Sequence, residues 1–369
     1  MRVGVIGGGQ LARMMVPAAL ELGIDIRVLG EAEDVSARLA VSSIGDYRDP
    51  GTVTAFARDV DVVTFDHEHV PQTLLRELVA AGITVHPGPD ALLFAQDKLL
   101  MRERLGSLGL PVPDWARAAN TGEVDVFIAE HGGRAVVKTP RGGYDGKGVR
   151  VVTSGDEVAD WFEQFDALLV EEAVAFTREL AQLVARRPSG EIVAWPVVET
   201  VQQNGVCAEV LAPAPRSAGL IADRAEDIAT AVAEGLGVTG VLAVELFETA
   251  DERILINELA MRPHNSGHWS IDGSTTSQFE QHLRAVLDLP LGATGCHAPW
   301  SVMVNILGGP ADAPLESRYP TALAEQPTVK FHSYGKQSRP GRKVGHVTAI
   351  GDDLDEVVYR ARAAAASFD

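Results

Sequence analysis

From residue 1 to 96, short apolar runs alternate with helix-length patterns: Val3–Ile6, a helix over Leu11–Leu22, Ile26–Leu29, Val60–Phe65, a helix over Pro71–Ala81, then Ile83–His86. Apolar runs this short, separated by helical repeats, predict parallel strands covered by helices, an α/β domain. A helix is predicted from Asp97 to Leu108, and the breaker-rich Gly109-Leu110-Pro111-Val112-Pro113 follows as a connector into a second region. Residues 119–185 read as a small α+β unit with strands Ala135–Lys138, Val149–Thr153 and Ala167–Glu171 and a helix near Asp156–Phe165. Residues 190–290 add strands and a helix near Thr275–Asp288, stopped by Pro290. Beyond Leu291 strands return: Val302–Leu307, and a hairpin of Thr328–Lys336 with Lys343–Gly351 turning at Arg339-Pro340-Gly341. The expected division is 1–96, 97–290 with 119–185 as a lid, and 291–369.

Composition narrows the partners. Hydrophobic residues make up 46% and charged residues 22% of 369, a globular mixture able to bury its own core. A net charge of −19 repels a nucleic-acid backbone, so small phosphorylated ligands held in a local basic pocket are the better expectation. The two cysteines, Cys207 and Cys296, form no CxxC pattern, which fits a reducing cytosol and a cytoplasmic protein. The amino terminus lacks a signal-peptide pattern, and no apolar stretch has the length of a membrane helix.

Three features bear on chemistry. Gly7-Gly8-Gly9-Gln10-Leu11-Ala12 satisfies the GxGxxA dinucleotide fingerprint, with Glu31 near the distance of a ribose-binding acid, and alone points to an NAD-dependent oxidoreductase. The same glycines also serve wherever a strand must pack closely on a helix. Second, Lys138 ends an apolar strand and Thr139-Pro140-Arg141-Gly142-Gly143-Tyr144-Asp145-Gly146-Lys147-Gly148 leads into another strand. Strand, glycine loop, strand is a flap able to cover a triphosphate with backbone N–H groups; a mobile turn-rich hairpin is the bland alternative. Third, Gly240–Phe247 and Arg253–Leu259 read as strands joined by Glu248–Glu252, each carrying an acid in an apolar run, Glu245 and Glu258. Such acids need a partner, and Mg2+ bridging them to phosphate oxygens supplies one; a satisfied ion pair is the alternative. Whether the two share a face depends on strand register, which the sequence leaves open.

The flap Gly142–Gly148, the run Leu255-Ile256-Asn257-Glu258-Leu259-Ala260, the segment Arg262-Pro263-His264-Asn265-Ser266-Gly267-His268-Trp269 and the late Arg339-Pro340-Gly341-Arg342-Lys343-Val344-Gly345-His346 occur in this order. Together they resemble the N5-carboxyaminoimidazole ribonucleotide synthetase family over nearly the whole chain. The resemblance implies an ATP-grasp fold of mixed α/β and α+β type, with an N-terminal Rossmann-like (pre-ATP-grasp) domain and a small C-terminal β-rich domain. It implies carboxylation of 5-aminoimidazole ribonucleotide with ATP and bicarbonate, through carboxyphosphate, in purine biosynthesis, with ATP and Mg2+ as cofactors and a homodimer as the assembly. By similarity, Lys98, Lys138, the flap Gly143, Tyr144, Asp145, Gly146, Lys147, Gly148 and Val149, then Glu171, Glu172, Ala173, Val174, Glu179, Gln202, Asn257 and Glu258 bind ATP, and Glu245 and Glu258 take the metal. Lys138, Arg262, His264 and Asn265 are the implied catalytic residues. Tyr144, Asp145, Lys147, Lys336 and Arg342 match the family's ribonucleotide site, and Arg339 and Lys343 complete a basic patch beside them, suited to a ribose phosphate. A solvated hairpin tip is the other reading of that patch.

Relatives commonly carry Gly where this chain has Ala12 and Pro where it has Met261, and Asp66-His67-Glu68-His69 departs from their usual loop. Zinc ligation by His264 and His268 with Asp272 is disfavoured because Gly267 and the polar residues around it argue against the helix that such spacing would exploit, and Asp66-His67-Glu68-His69 is weighed the same way. A formate-dependent glycinamide ribonucleotide transformylase or a biotin carboxylase-like subunit is the alternative within the superfamily.

Overall fold

A computed structural model describes residues 1–143, 148–203, 205–308 and 315–368. Four parallel strands open the chain: β1 (Arg2–Ile6), β2 (Asp25–Gly30), β3 (Val41–Ile44) and β4 (Val62–Phe65), in the order β3-β2-β1-β4. The parallel α/β reading holds here, with two differences. The predicted strand Ile83–His86 is reduced to a single bridge between Val85 and Val63. The short edge strand β3 was not read from the sequence, since Val-Ser-Ser-Ile alternates half-buried and exposed positions without a long apolar run.

A small antiparallel sheet follows, made of β5 (Trp115–Ala118), β6 (Ala135–Lys138), β7 (Val149–Val152) and β8 (Leu168–Glu172) in the order β5-β8-β6-β7. Its own core gathers Val124, Phe127, Val137, Val152 and Val170 beneath the helix Thr121–Glu130. The predicted helix near Asp156–Phe165 is a 3₁₀ turn over Gly155–Val158 followed by a single turn over Ala159–Phe162, held by a capping box of Ser154 and Glu157.

The largest sheet is built from β9 (Phe176–Arg186), β10 (Ile192–Ala194), β11 (Val198–Gln203), β12 (Val206–Ala212), β13 (Gly240–Thr249), β14 (Ile254–Ala260), β15 (Trp300–Leu307), β16 (Lys330–Ser333) and β17 (Lys343–Gly351). Its order is β14-β13-β9-β11-β12-β15-β17-β16, with β10 paired to β9. The carboxy-terminal strands thus continue the same sheet through β12 and β15. The segment 176–186, placed by the sequence within 119–185, pairs with β11 and β13 of this sheet. One buried apolar cluster runs from Leu75 and Leu78 through Leu92 and Leu105 to Val184, Leu242 and Ile256, joining the first sheet's helices to the large sheet. A second packs Leu11 and Met15 against Phe279 and Leu283, so the helices Gln10–Glu21 and Gln278–Val286 dock on each other.

Candidate active site

Strand register brings the two suspect acids together. Glu245 of β13 faces Glu258 of β14, and the pairing then slips so that Leu246 faces Ile256 and Asn257 is the extra residue. A bulge of this kind bends its strand and re-aims a side chain. Here Asn257 and Glu258, adjacent in sequence, both meet lysines: Lys98 Nζ lies 3.2 Å from Glu258 Oε1, and Lys138 Nζ donates to Asn257 Oδ1 at 2.9 Å. Burial, the facing Glu258 and the nearby Glu179 push the Glu245 carboxyl up to about 7. Burial acts against Glu258 as well, but Lys98 and Lys138 outweigh it and keep that carboxyl below its ordinary range. Near neutrality the pair holds one firm negative charge, on Glu258.

Lys98 begins the helix Lys98–Ser107, capped by Asp97, whose Oδ1 accepts the Leu99 and Leu100 N–H groups at 3.1 Å. The other Asp97 oxygen takes Arg141 Nε at 2.8 Å, and Lys98 N donates to Pro140 O at 2.9 Å, so this helix start is tied to the beginning of the glycine-rich loop. Gly142 and Gly148 adopt φ +80° and +72°, and Thr139 N donates to Gly148 O at 2.9 Å, closing the loop where β6 turns into β7 at Val149. Gly143 is half-buried at the loop's start; Tyr144, Asp145, Gly146 and Lys147 lie outside the described residues.

Lys138 ends β6 almost fully buried, its Nζ 2.8 Å from Glu171 Oε2 on β8. The other Glu171 oxygen pairs with Arg102, one helical turn past Lys98. Burial alone would raise the Glu171 carboxyl, yet Arg102 and Lys138 together bring it down to about 2. Glu172, Ala173 and Val174 follow half-buried, with Val174 N donating to Glu172 O at 2.9 Å. On β9, Glu179 is raised by burial against the opposing hydrogen bond of Gln202 from β11.

The segment after β14 supplies the remaining groups. Arg262 Nε pairs with Glu68 Oε2 at 2.7 Å, and Glu68 Oε1 accepts Met261 N at 3.2 Å, so the unusual Asp66–His69 loop anchors the arginine. His264 Nε2 stands 3.4 Å from Glu245 Oε1, and burial with nearby Arg262 and Lys343 lowers its imidazole to about 3. Asn265 and Asn305 exchange amide hydrogen bonds at 3.1 and 2.8 Å, and Tyr334 donates to Asn305 Oδ1 at 3.2 Å. His268 instead accepts from Gln278, and Asp272 pairs with His332 at 2.7 Å. Among the described residues no three His, Cys, Asp or Glu side chains gather as a metal site.

The carboxy-terminal basic patch divides. Lys336 is half-buried and donates to Gln10 Oε1 at 2.5 Å, and Lys343 is half-buried near His264 and Glu245. Arg339 and Arg342 are exposed at the hairpin turn. The dinucleotide fingerprint is filled from within: Asp66 Oδ1 accepts Ala12 N at 2.8 Å at the helix start, and a Cβ on Gly9 would collide with the Asp66 carboxylate. The Asp66 carboxyl group stands at the helix end where a pyrophosphate would bind.

Arg102, Glu68, Gln278, Asn305 and Tyr334 were not read as site residues. Arg102 had one usable signal, its i, i+4 spacing from Lys98, and Asn305 another, a polar residue inside the apolar run Val302–Leu307. Glu68 stood out only as part of the departing Asp66–His69 loop, with nothing to name its partner 194 residues away.

Comparison with known proteins agrees along the whole length. The ribonucleotide synthetase preATP-grasp domain matches residues 1–96, the ATP-grasp domain 103–279, and the phosphoribosylaminoimidazole carboxylase C-terminal domain 301–360. The N5-carboxyaminoimidazole ribonucleotide synthase of Mycobacterium tuberculosis is 50% identical over 371 residues, spanning 98% of this chain and 86% of that protein. That of Corynebacterium ammoniagenes is 48% identical, over 98% of this chain and 91% of its own. Among solved structures, the Aspergillus clavatus carboxyaminoimidazole ribonucleotide synthase complexed with ATP superposes with TM-score 0.90 at 32% identity, covering 100% of this chain and 98% of that one. The expected fold is therefore confirmed, and the oxidoreductase alternative is set aside. The chain belongs to the N5-carboxyaminoimidazole ribonucleotide synthase family of ATP-grasp ligases.

Proposed function

We propose that this ligase carboxylates 5-aminoimidazole ribonucleotide with ATP and bicarbonate, through carboxyphosphate. The observation that carries the reading is the convergence of the register pair Glu245 and Glu258 with Lys98, Lys138 and Asn257. The ribonucleotide enters by likeness: an Aspergillus clavatus relative, 31% identical with TM-score 0.89, was solved with ADP and 5-aminoimidazole ribonucleotide.

The donor set fits magnesium, a hard cation that takes one or two carboxylates and completes its shell with phosphate oxygens and water. Bound there, Mg2+ would neutralise charge on the phosphate oxygens. The chain's residues do the rest. Lys98 and Lys138 hold the triphosphate, the loop from Gly143 covers it, Glu171–Val174 border the adenine, and Glu179 with Gln202 meets the ribose. A bicarbonate oxygen attacks the γ-phosphorus, the bond to the β–γ bridging oxygen breaks, and ADP leaves. The exocyclic amine then adds to the carboxyl carbon of carboxyphosphate, the carbon–oxygen bond to phosphate breaks, and the amine loses a proton. Arg262, oriented by Glu68, anchors the small anion, and His264 and Asn265 line the pocket. Half-buried Lys336 and Lys343 suit the ribose phosphate, with exposed Arg342 and Arg339 beside them; Tyr144, Asp145 and Lys147 join this set by resemblance alone.

Bicarbonate labelled with 18O tests the whole sequence. Phosphate released only when the ribonucleotide and bicarbonate are both present, and carrying one label, is expected. Unlabelled phosphate, or release indifferent to the ribonucleotide, overturns the reading. The homodimer belongs to the same proposal; light scattering should give twice the mass of one chain, and a monomer mass would dismiss it.

A further inference from the structure

Arg102 is not among the residues assigned to a ligand above, yet its side chain is 0% exposed. It closes a ring of four residues. Its Nε pairs with Glu171 Oε1; Glu171 Oε2 lies 2.8 Å from Lys138 Nζ; Lys138 donates to Asn257 Oδ1 at 2.9 Å; and Arg102 Nη2 donates back to the Asn257 main-chain oxygen at 2.6 Å. The ring joins the helix Lys98–Ser107, strands β6 and β8 of the small sheet and strand β14 of the large one. It therefore ties the small sheet to the large one beside the position proposed for the phosphates.

A lone ion pair with Glu171 would leave the Asn257 carbonyl and the bulge untouched. The rigid guanidinium fork does both jobs at once: one arm loads Glu171, and another fixes the main chain of the bulged residue. Lys138, on a flexible four-carbon stem, is thereby tethered at two points, both set by Arg102.

We propose that Arg102 is a positioning residue for nucleotide binding, fixing through Glu171 and the Asn257 main chain where the Lys138 ammonium meets phosphate. The inference rests on the reading that ATP phosphates meet Lys138. Its test is the dissociation constant of a nonhydrolysable ATP analogue with magnesium, measured by calorimetry, beside the KM values for ATP and for the ribonucleotide. Arg102→Met should weaken the analogue and raise the KM for ATP by about tenfold or more, leaving the KM for the ribonucleotide within about twofold. Arg102→Lys, which keeps a charge for Glu171 but lacks the arm that reaches Asn257, should fall between. If Arg102→Met does not fold, Arg102→Lys decides: weakened analogue binding with an unchanged ribonucleotide KM supports the role, and wild-type binding overturns it. A folded Arg102→Met with wild-type analogue affinity, or with equal losses toward both ligands, also overturns it. Lys138→Ala separates the two levels. If that variant loses the analogue while Arg102→Met keeps it, only the role of Arg102 falls; if Lys138→Ala binds as wild type, the nucleotide reading falls with it.

Discussion

Glu245 and Glu258 face each other across two strands, and two like charges so placed cannot both be ionised cheaply. Without a cation Glu245 keeps its proton up to about pH 7, so a cation arriving below that pH displaces a proton. Affinity for magnesium nucleotide should therefore fall by up to about tenfold per pH unit below that point and level off above it. Calorimetry across this range checks the slope, and a profile with no break contradicts the proposed metal role. Glu171 has the opposite sign. Its carboxyl sits at about 2 in the folded chain against an ordinary 4.5, so its stabilisation is complete above 4.5 and disappears as pH falls toward 2. Glu171→Gln should lower the unfolding free energy by roughly 3 kcal/mol at pH 7, with a shrinking deficit in acid, read from urea melts at both pH values. At this scale the sequence exposed what was costly on its face: Lys138, Glu245 and Glu258 stand out as charges in apolar runs. Arg102 stayed hidden because i, i+4 spacing describes solvated helix faces equally well, and Glu68 because a loop acid gives no clue to an arginine far along the chain.

Elements were legible where local chemistry decides them. Strand β6 and strand β17 fall where the apolar runs placed them, and the helix at Lys98 starts where Asp97 can cap it. Register was not legible, because it is fixed by pairing between distant strands, and the bulge at Asn257 depends on it. The helix Leu220–Gly235 and the helix Leu354–Ala366 also have no counterpart in the sequence reading. The carboxy-terminal hairpin shows the same division. Four basic residues looked like one patch, but Lys336 and Lys343 are half-buried, Lys336 bonded to Gln10, whereas Arg339 and Arg342 are exposed. Lys336→Ala should raise the KM for the ribonucleotide by roughly tenfold to a hundredfold, the weight of a charge-assisted hydrogen bond, while Arg339→Ala changes it less than about twofold. Steady-state kinetics with the ribonucleotide varied distinguish the two, and equal effects would mean that burial does not select the phosphate contact.

On the scale of the whole molecule, the glycine loop that opens the chain and the glycine flap compete for the same prediction, a nucleotide. Packing decides between them. Asp66 occupies the helix end beside Gly9, whereas two acids, two lysines and an amide gather where the small sheet meets the large one. The large sheet runs without a break from β14 to β16, so the carboxy-terminal hairpin shares one sheet with Glu245 and Glu258 while reaching the first domain through Lys336 and Gln10. A ligand that binds only the native state raises its melting temperature. Magnesium with a nonhydrolysable ATP analogue should do so here, and NADH at the same concentration should not. The most direct measurement is a crystal structure of the wild-type protein soaked with magnesium and that analogue. Density for a cation between Glu245 and Glu258, with the γ-phosphate near Lys138, is the predicted result; an empty site with nucleotide lying against Gly7–Gly9 would contradict it.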